Sequence, residues 1–331
     1  KITNGIPDNH IVWRLVQDHV DKNLLFLGTE YGVFVSINGG SNWVKFSNGI
    51  PTISIRDLAI QKRENDLVAA TFGRGFYIMD DYSSLRFLSP QSLKNNLVFS
   101  PRKALQYTPQ RSGSSSQGGN TFYAKNPDYG AMLTFYLNDE LLTRKQKRKK
   151  AEKELEKSNS NIPFPGWNEL DKEVNESSPK TVIEIFDSSN VFIDRFSLPY
   201  KKGFNRVSWD LTRDIESNVV SGSSRSYSPS VRVSPGRYSF NVYTEFNGNV
   251  NKIGSKFFEV ERIRTGVLIN PNLDQIEAFL VDLENTYKNY SVVNHKFSKI
   301  KRSNKSIPSL ISKTSNYKSY VENYNQIKEI I

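Results

Sequence analysis

The sequence predicts a mainly β protein: two four-stranded β-propeller blades, an Ig-like β-sandwich with a charged helical insertion, and a C-terminal α-helical hairpin. Three observations predict it. Within residues 1–90 a unit recurs at an offset of about 42–44 residues, the length of one four-stranded blade. The middle of the chain holds short segments that alternate apolar and polar residues between turns. After residue 266 the apolar spacing changes from two to the three-and-four pattern of a helix face.

The repeat is direct. Asn4-Gly5-Ile6-Pro7 precedes Leu24–Thr29 and Gly32–Val35, and Asn48-Gly49-Ile50-Pro51 precedes Leu67–Thr71 and Gly75–Ile78. Each unit reads strand, turn, strand, with Gly32 and Gly73-Arg74-Gly75 marking hairpin turns. After the first unit, Ser36-Ile37-Asn38-Gly39-Gly40-Ser41-Asn42-Trp43 matches the pattern S-x-[DN]-x-G-x-x-W. The mechanics are local. Asn38 is suited to bonding backbone groups of its turn, Gly40 to a positive φ, and Trp43 to burying a large ring. The second unit has Met79-Asp80-Asp81-Tyr82-Ser83-Ser84-Leu85 there, without the Gly and Trp. The first pattern resembles the Asp-box of sialidase-type and sortilin-type propellers. The resemblance implies a folding motif at the blade periphery, so Ser36, Asn38, Gly40 and Trp43 are expected to be structural. Two blades cannot close a propeller, because each buries a face of its neighbour. Further blades are expected upstream of Lys1.

A second domain is expected over 91–265. Strand candidates are Ala131–Tyr136, Thr181–Phe186, Val191–Ser197, Arg206–Leu211, Tyr238–Phe246 and Gly254–Val260, and such a series argues for an Ig-like sandwich. Residues 111–120, rich in Ser and Gly, read as a flexible loop. An insertion over 139–178 carries Arg144, Lys145, Lys147, Arg148, Lys149 and Lys150, followed by alternating acids and bases that fit an exposed helix. That cluster is a candidate polyanion or partner surface. It has no interleaved aromatics, which argues against nucleic acid and for a solvated helix.

Four elements of this region resemble one bacterial family in order. They are Asn126-Pro127-Asp128-Tyr129-Gly130-Ala131, Pro163–Leu170 around Trp167, Gly203–Leu211 with Arg206 and Trp209-Asp210-Leu211, and Val233–Tyr238 with Pro235-Gly236. The chain is similar over its length to the large sortilin-like, BNR-repeat propeller proteins, often called glycosyl hydrolases through their propellers alone. The resemblance implies a secreted or cell-surface protein of about three times this length. It carries over no catalytic residue.

The third domain, 266–331, shows Ile276, Leu280, Leu283, Tyr287, Tyr290 and Phe297 on one helical face, with Asn270 or Asn272 as cap and Pro271 early in the turn. Pro308 is expected to break this helix, with a second helix over 309–331. The two seams are expected to pack on each other and on the sandwich.

Composition narrows the chemistry. No Cys among 331 residues removes disulfides, thiol nucleophiles and thiolate metal sites, and His10, His19 and His295 are scattered. No metal or cofactor is expected. No run of 18 apolar residues suggests a membrane span, and a signal peptide would lie upstream of Lys1. The net charge of +11 permits anionic partners. Glycoside cleavage needs two carboxylates across a bond. Asp80 and Asp81 are adjacent and would face opposite ways in a strand, while Asp210 has Arg206 within reach of pairing. Arg14, Arg56 and Arg74 are candidates for holding a substrate carboxylate. No P-loop, G-x-S-x-G, G-x-G-x-x-G or H-E-x-x-H motif occurs. The expected function is a binding or scaffold module for protein, peptide or glycan. The alternatives are a glycosidase whose site lies on other blades, and polyanion binding through Arg144–Lys150.

Overall fold

A computed structural model describes residues 2–109, 126–213, 231–264 and 272–330. The loop expected at 111–120 lies outside the described residues. The chain divides into two compact units, Lys1–Leu211 with Pro235–Thr265, and Thr212–Ser234 with Gly266–Ile331.

The first unit begins with β1 (Val12–Gln17), β2 (Leu25–Thr29), β3 (Gly32–Ser36) and β4 (Val44–Phe46), which form one antiparallel sheet in that order. Then β5 (Ile55–Gln61), β6 (Asp66–Thr71) and β7 (Phe76–Met79) form a second. Strands β2 and β3 are buried at every position. Alternate side chains leave a strand on opposite faces, so this sheet needs a cover on each side. On one side Phe26, Val33 and Val35 meet Ile55, Leu58, Leu67 and Ala69 of the second sheet. On the other, Leu25, Leu27 and Phe34 pack with Trp43 and Ile6. Gly28 allows the close approach, since a Cβ there would stand 3.0 Å from Ile55.

The second sheet has three strands. Where the repeat predicts a fourth, the chain forms a 3-10 helix, Tyr82–Phe87. Asp81 turns into the left-handed region (φ 40°) and accepts a hydrogen bond from the Ser83 N–H. Tyr82 then points inward, fully buried, with its ring edge-on to Phe26 at 5.0 Å. The outward side of this sheet is left open, with Phe76 73% and Ile78 60% exposed.

The same unit continues with β8 (Leu97–Val98), β9 (Ala104–Gln106), β10 (Ala131–Leu137), helices α1 (Arg144–Lys157) and α2 (Trp167–Asn175), β11 (Lys180–Asp187), β12 (Phe192–Pro199) and β13 (Gly203–Trp209). After two short strands of the second unit, β14 (Thr212–Arg213) and β15 (Val231–Arg232), it closes with β16 (Gly236–Phe246) and β17 (Asn249–Arg262). Strands β12-β11-β16-β17-β9 make a five-stranded sheet and β13-β10-β8 a three-stranded one. Each of the six candidate segments overlaps a strand, although Val191, Asp210 and Leu211 lie outside the strands. The register explains the burial: Thr181, Ile183 and Ile185 lie opposite Thr244, Val242 and Phe240, and all six are buried. Trp209 joins the two sheets, with ring centroids 5.8 Å from Tyr238 and 6.0 Å from Phe258.

Two of the sequence elements meet here. Ala131 pairs with Trp209, and Ser208 Oγ donates to the Tyr129 carbonyl at 2.8 Å. Gly130 (φ 117°) is needed, because a Cβ would fall 1.8 Å from the Trp209 carbonyl oxygen. No larger residue fits at that distance.

In the second unit β14 pairs with β15, and two helices follow, α3 (Leu273–Ile311) and α4 (Tyr317–Ile330). Asn272 caps α3, its side chain accepting from the Gln275 N–H at 3.2 Å. Asn270 and Pro271 lie outside the described residues. Pro308 does not break the helix, contrary to the sequence expectation. A proline there removes the N–H that would have bonded the carbonyl four residues back. That carbonyl belongs to Asn304, and the Tyr324 hydroxyl of α4 donates to it at 3.1 Å. The second helix replaces the missing donor, and α3 runs on to Ile311.

Candidate functional site

The first strands of the two sheets, β1 and β5, lie side by side. The repeat places Trp13 and Arg14 of one at positions equivalent to Arg56 and Asp57 of the other. It also places Glu30 and Phe72 at equivalent corners. Glu30 N–H donates to the Ile11 carbonyl and Phe72 N–H to the Ser54 carbonyl, both at 2.9 Å.

These corners converge on Arg56. Its guanidinium carbon lies 4.0 Å from the Trp13 ring centroid and 5.1 Å from that of Phe72. Cation–π attraction holds the group between the two faces. Glu30 anchors the arrangement. One carboxylate oxygen accepts from Trp13 Nε1 at 2.7 Å and from Ser54 Oγ at 3.1 Å, with an Arg56 nitrogen at 3.9 Å. The Trp13 N–H, set against some desolvation and helped by Ser54 and Arg56, holds the Glu30 carboxyl below its ordinary pKa. Beside it Arg14 pairs with Asp57 at 3.1 Å. Trp13 and Phe72 remain 43% and 69% exposed.

Of the three arginines singled out in the sequence, Arg14 and Arg56 therefore come together, each with a carboxylate partner. Arg74 sits exposed in the β6–β7 turn between Gly73 (φ 86°) and Gly75 (φ 66°). Sequence reading missed Trp13, Glu30 and Phe72. Aligning the two repeats sets Trp13 level with Arg56 and Glu30 level with Phe72, but only the stacking of the sheets brings them together.

Asp80 and Asp81 are not in a strand. Asp81 caps the 3-10 helix, and Asp80 lines a cleft of about 330 Å³ with Asp128, Met132, Arg206 and Ser208. Arg206 does not turn along its own strand to Asp210. Its guanidinium donates to the carbonyls of Asp80 at 2.5 Å and Asp81 at 2.7 Å. Burial, reinforced by Asp66 and Asp81, raises the Asp80 pKa against the pull of Arg102 and Arg206.

The turn holding Ser36, Asn38, Gly40 and Trp43 is a closed hydrogen-bond circuit. Ser36 Oγ donates to Asn38 Oδ1 and accepts from the Gly40 N–H, both at 2.9 Å, and Asn38 Oδ1 accepts from the Asn42 N–H at 2.9 Å. Gly40 has φ 88°. Trp43 is buried, and its Nε1 donates to the Ile2 carbonyl at 2.9 Å. The Ser36 and Asn38 side chains are thus turned inward onto the turn itself.

Three of the six basic residues named on this helix are ion-paired. Thr143 caps α1 in a capping box with Gln146. Arg148 makes a bidentate pair with Glu173 of α2 at 2.7 and 2.8 Å and a further bond to Glu152 at 2.6 Å. The Glu173 and Glu152 hydrogen bonds raise its pKa. Arg144 faces Glu169 at 3.6 Å and Lys150 faces Glu140 at 3.1 Å. Lys145, Lys147 and Lys149 are exposed, and none has an ion pair among the described residues. The acids on α2 that neutralise this helix were not read as partners in the sequence.

Among the described residues no cluster of metal-ligating side chains occurs, and no helix is long and apolar enough to cross a membrane.

No protein-family model and no curated protein matches the chain. Solved structures that resemble it include two extracellular domains from B. thetaiotaomicron. One belongs to a hybrid two component system, at TM-score 0.21 and 10% identity, covering 78% of this chain and 27% of that one. The other belongs to a one component system, at TM-score 0.19 and 12% identity, covering 78% and 26%. The chain thus spans about a quarter of the length of either.

Proposed function

We propose that the chain is the C-terminal part of an exported, sortilin-like propeller protein and acts as a binding or scaffold module for a protein, peptide or glycan. On this reading residues 1–90 form two neighbouring blades, 91–265 an Ig-like sandwich with the inserted helices, and 266–331 a helical hairpin. The four sequence elements support the family, and the exported setting follows from it. The stacking of two repeat-related sheets through a shared core supports the blades. The open face with Phe76 and Ile78 is where a further blade would stack.

The observation that carries the binding reading is the clasp of Arg56 between Trp13 and Phe72. It offers two exposed aromatic rings and a guanidinium held against them, a surface suited to a ligand with a planar or sugar face and a carboxylate. It does not suit hydrolysis. A glycosidase holds one carboxyl protonated beside one ionised, whereas Glu30 is kept ionised and Asp57 is paired with Arg14. For a polyanion, the neutralised arginines leave Lys145, Lys147 and Lys149 as the contact surface.

The test is a binding screen of the chain against sialylated and neutral oligosaccharides and acidic peptides, repeated with Arg56→Ala. Loss of affinity by about ten-fold or more in the variant is the expected outcome. Equal binding by both proteins removes the clasp as the site. Turnover of a fluorogenic sialoside by the unmodified chain overturns the non-enzymatic reading.

A further inference from the structure

Helix α3 is far longer than its partner. Its 39 residues span about 58 Å, whereas the 14 residues of α4 span about 21 Å. The Tyr324–Asn304 hydrogen bond fixes where they meet. From there α4 reaches back to about residue 298. Among the described residues of its own unit, α4 is the only helix beside α3, and it covers only the C-terminal part of α3.

That uncovered length carries a strict heptad. Ile276, Leu283, Tyr290 and Phe297 take the a positions, and Phe279, Thr286, Val293 and Ile300 the d positions. The seven large apolar residues among these eight are between 43% and 65% exposed. A three-four alternation kept in step over more than three heptads is the pattern of a coiled-coil seam rather than of a solvated helix. Leu280 and Tyr287, at e positions, widen it.

The charge pattern selects the occupant. In sequence, residues 273–287 of α3 include Asp274, Glu277, Asp282 and Glu284 and no Lys or Arg. Residues 288–305 include Lys288, Lys296, Lys299, Lys301, Arg302 and Lys305 and no Asp or Glu. Macrodipole complementation acts only within the terminal turns, and this polarity extends through the whole helix.

We propose that α3 pairs with α3 of a second copy of this chain as an antiparallel coiled coil, the acidic half of each helix lying along the basic half of the other. A two-fold axis beside residue 288 makes the seam self-complementary, as an isologous interface requires. Ile276 then meets Ile300 of the second copy, Leu283 meets Val293, and Phe297 meets Phe279. Flanking them, Asp282 meets Lys296. Parallel pairing would set Lys296 against Lys301 instead, a like-charge contact.

The chain has no cysteine, so single substitutions report the geometry. By sedimentation velocity the full chain is expected to dimerise reversibly, and Leu283→Asp with Val293→Asp to weaken the dimer at least about 100-fold. Under mild oxidation Asn289→Cys, beside the axis, is expected to link to itself. Phe279→Cys is expected to link to Phe297→Cys and not to itself. Self-linking of Phe279→Cys overturns the antiparallel arrangement. A chain that stays monomeric, with Asn289→Cys failing to link, overturns the proposal altogether.

Discussion

The two N-terminal sheets come from one repeat and solve the same problem differently. In the first, the repeat unit ends in a turn that folds on itself and drops Trp43 onto Leu25, Leu27 and Phe34. In the second, the turn is gone and its place is taken by the 3-10 helix with Tyr82 and Arg86. Trp43 closes its own sheet on the outside. Tyr82 and Arg86 reach across to the first sheet and close the boundary between the two. Asp18, buried after β1, accepts from Arg86 Nε at 2.7 Å, Arg86 Nη2 at 2.8 Å and the Tyr82 hydroxyl at 2.6 Å. The Asp21 N–H adds a fourth bond at 2.8 Å. The lesson is that loss of a local motif need not leave a defect, because the same stretch of chain can turn a self-contained turn into an inter-sheet tie.

The strongest way to break that comparison is at Asp18. Replacing it with Ala leaves the Arg86 guanidinium buried without its counter-charge, which costs about 3–5 kcal/mol. Stability measured by urea unfolding is expected to fall by that amount. An unchanged midpoint would show that the tie contributes nothing. The tie is also acid-sensitive. Burial alone would raise the Asp18 pKa, but the hydrogen bonds from Arg86, Tyr82 and Asp21 and the Arg86 charge outweigh it and hold it well below the usual carboxylate range. A carboxyl depressed in the folded state adds stability that is complete above its unfolded pKa and disappears as pH falls through the folded value. The parent protein should therefore lose stability more steeply than Asp18→Asn as pH drops below about 4. Parallel pH curves for the two proteins would refute the coupling.

Next in size is Trp43. Trp43→Ala should cost about 3 kcal/mol, the lower end for a large aromatic, because part of its cover is the N-terminal segment around Ile2 and Ile6, which can collapse into the space. Tyr82→Phe keeps the ring and removes one hydrogen bond to a charged acceptor, about 1.5–3 kcal/mol. Differential scanning calorimetry of the pair orders them. A larger loss from Tyr82→Phe than from Trp43→Ala would mean that polar closure of the boundary outweighs apolar closure of the outer face.

Much of this was legible in the sequence, and the parts that were not share a cause. Strands β10 to β13, β16 and β17 were readable because period-two alternation is imposed by a half-buried sheet, and the register of Ile183 with Val242 is the same constraint seen from both strands. The hydrogen bonds among Ser36, Asn38, Gly40 and Asn42 span at most four residues, so that turn lies within reach of a local sequence pattern. The inter-sheet tie was not. Asp18 and Arg86 are 68 residues apart, and nothing in either neighbourhood names the other. The clasp around Arg56 was hidden for the same reason, since Trp13, Glu30 and Phe72 meet only when the two sheets stack. Pro308 misled because its local rule is sound. The carbonyl it strands is satisfied by Tyr324, a residue of the next helix.

The finest test of the comparison uses two glycines in equivalent positions of the repeat. Gly5 and Gly49 both stand at positive φ, 92° and 83°. A Cβ on Gly5 would fall 2.2 Å from the Trp43 carbonyl oxygen, whereas a Cβ on Gly49 would meet nothing within 4 Å. The first sheet seats its Asn-Gly-Ile-Pro segment against the Ser36–Trp43 turn, with Trp43 N–H donating to the Asn4 carbonyl at 2.9 Å. The second has no such turn to seat against. Gly49→Ala should therefore cost only the left-handed backbone strain, about 1–2 kcal/mol. Gly5→Ala should cost clearly more, because it also displaces Trp43. If thermal unfolding gave the two substitutions equal losses, the Asn-Gly-Ile-Pro segments would be serving both sheets alike, and the difference between the sheets would reduce to the tie at Asp18.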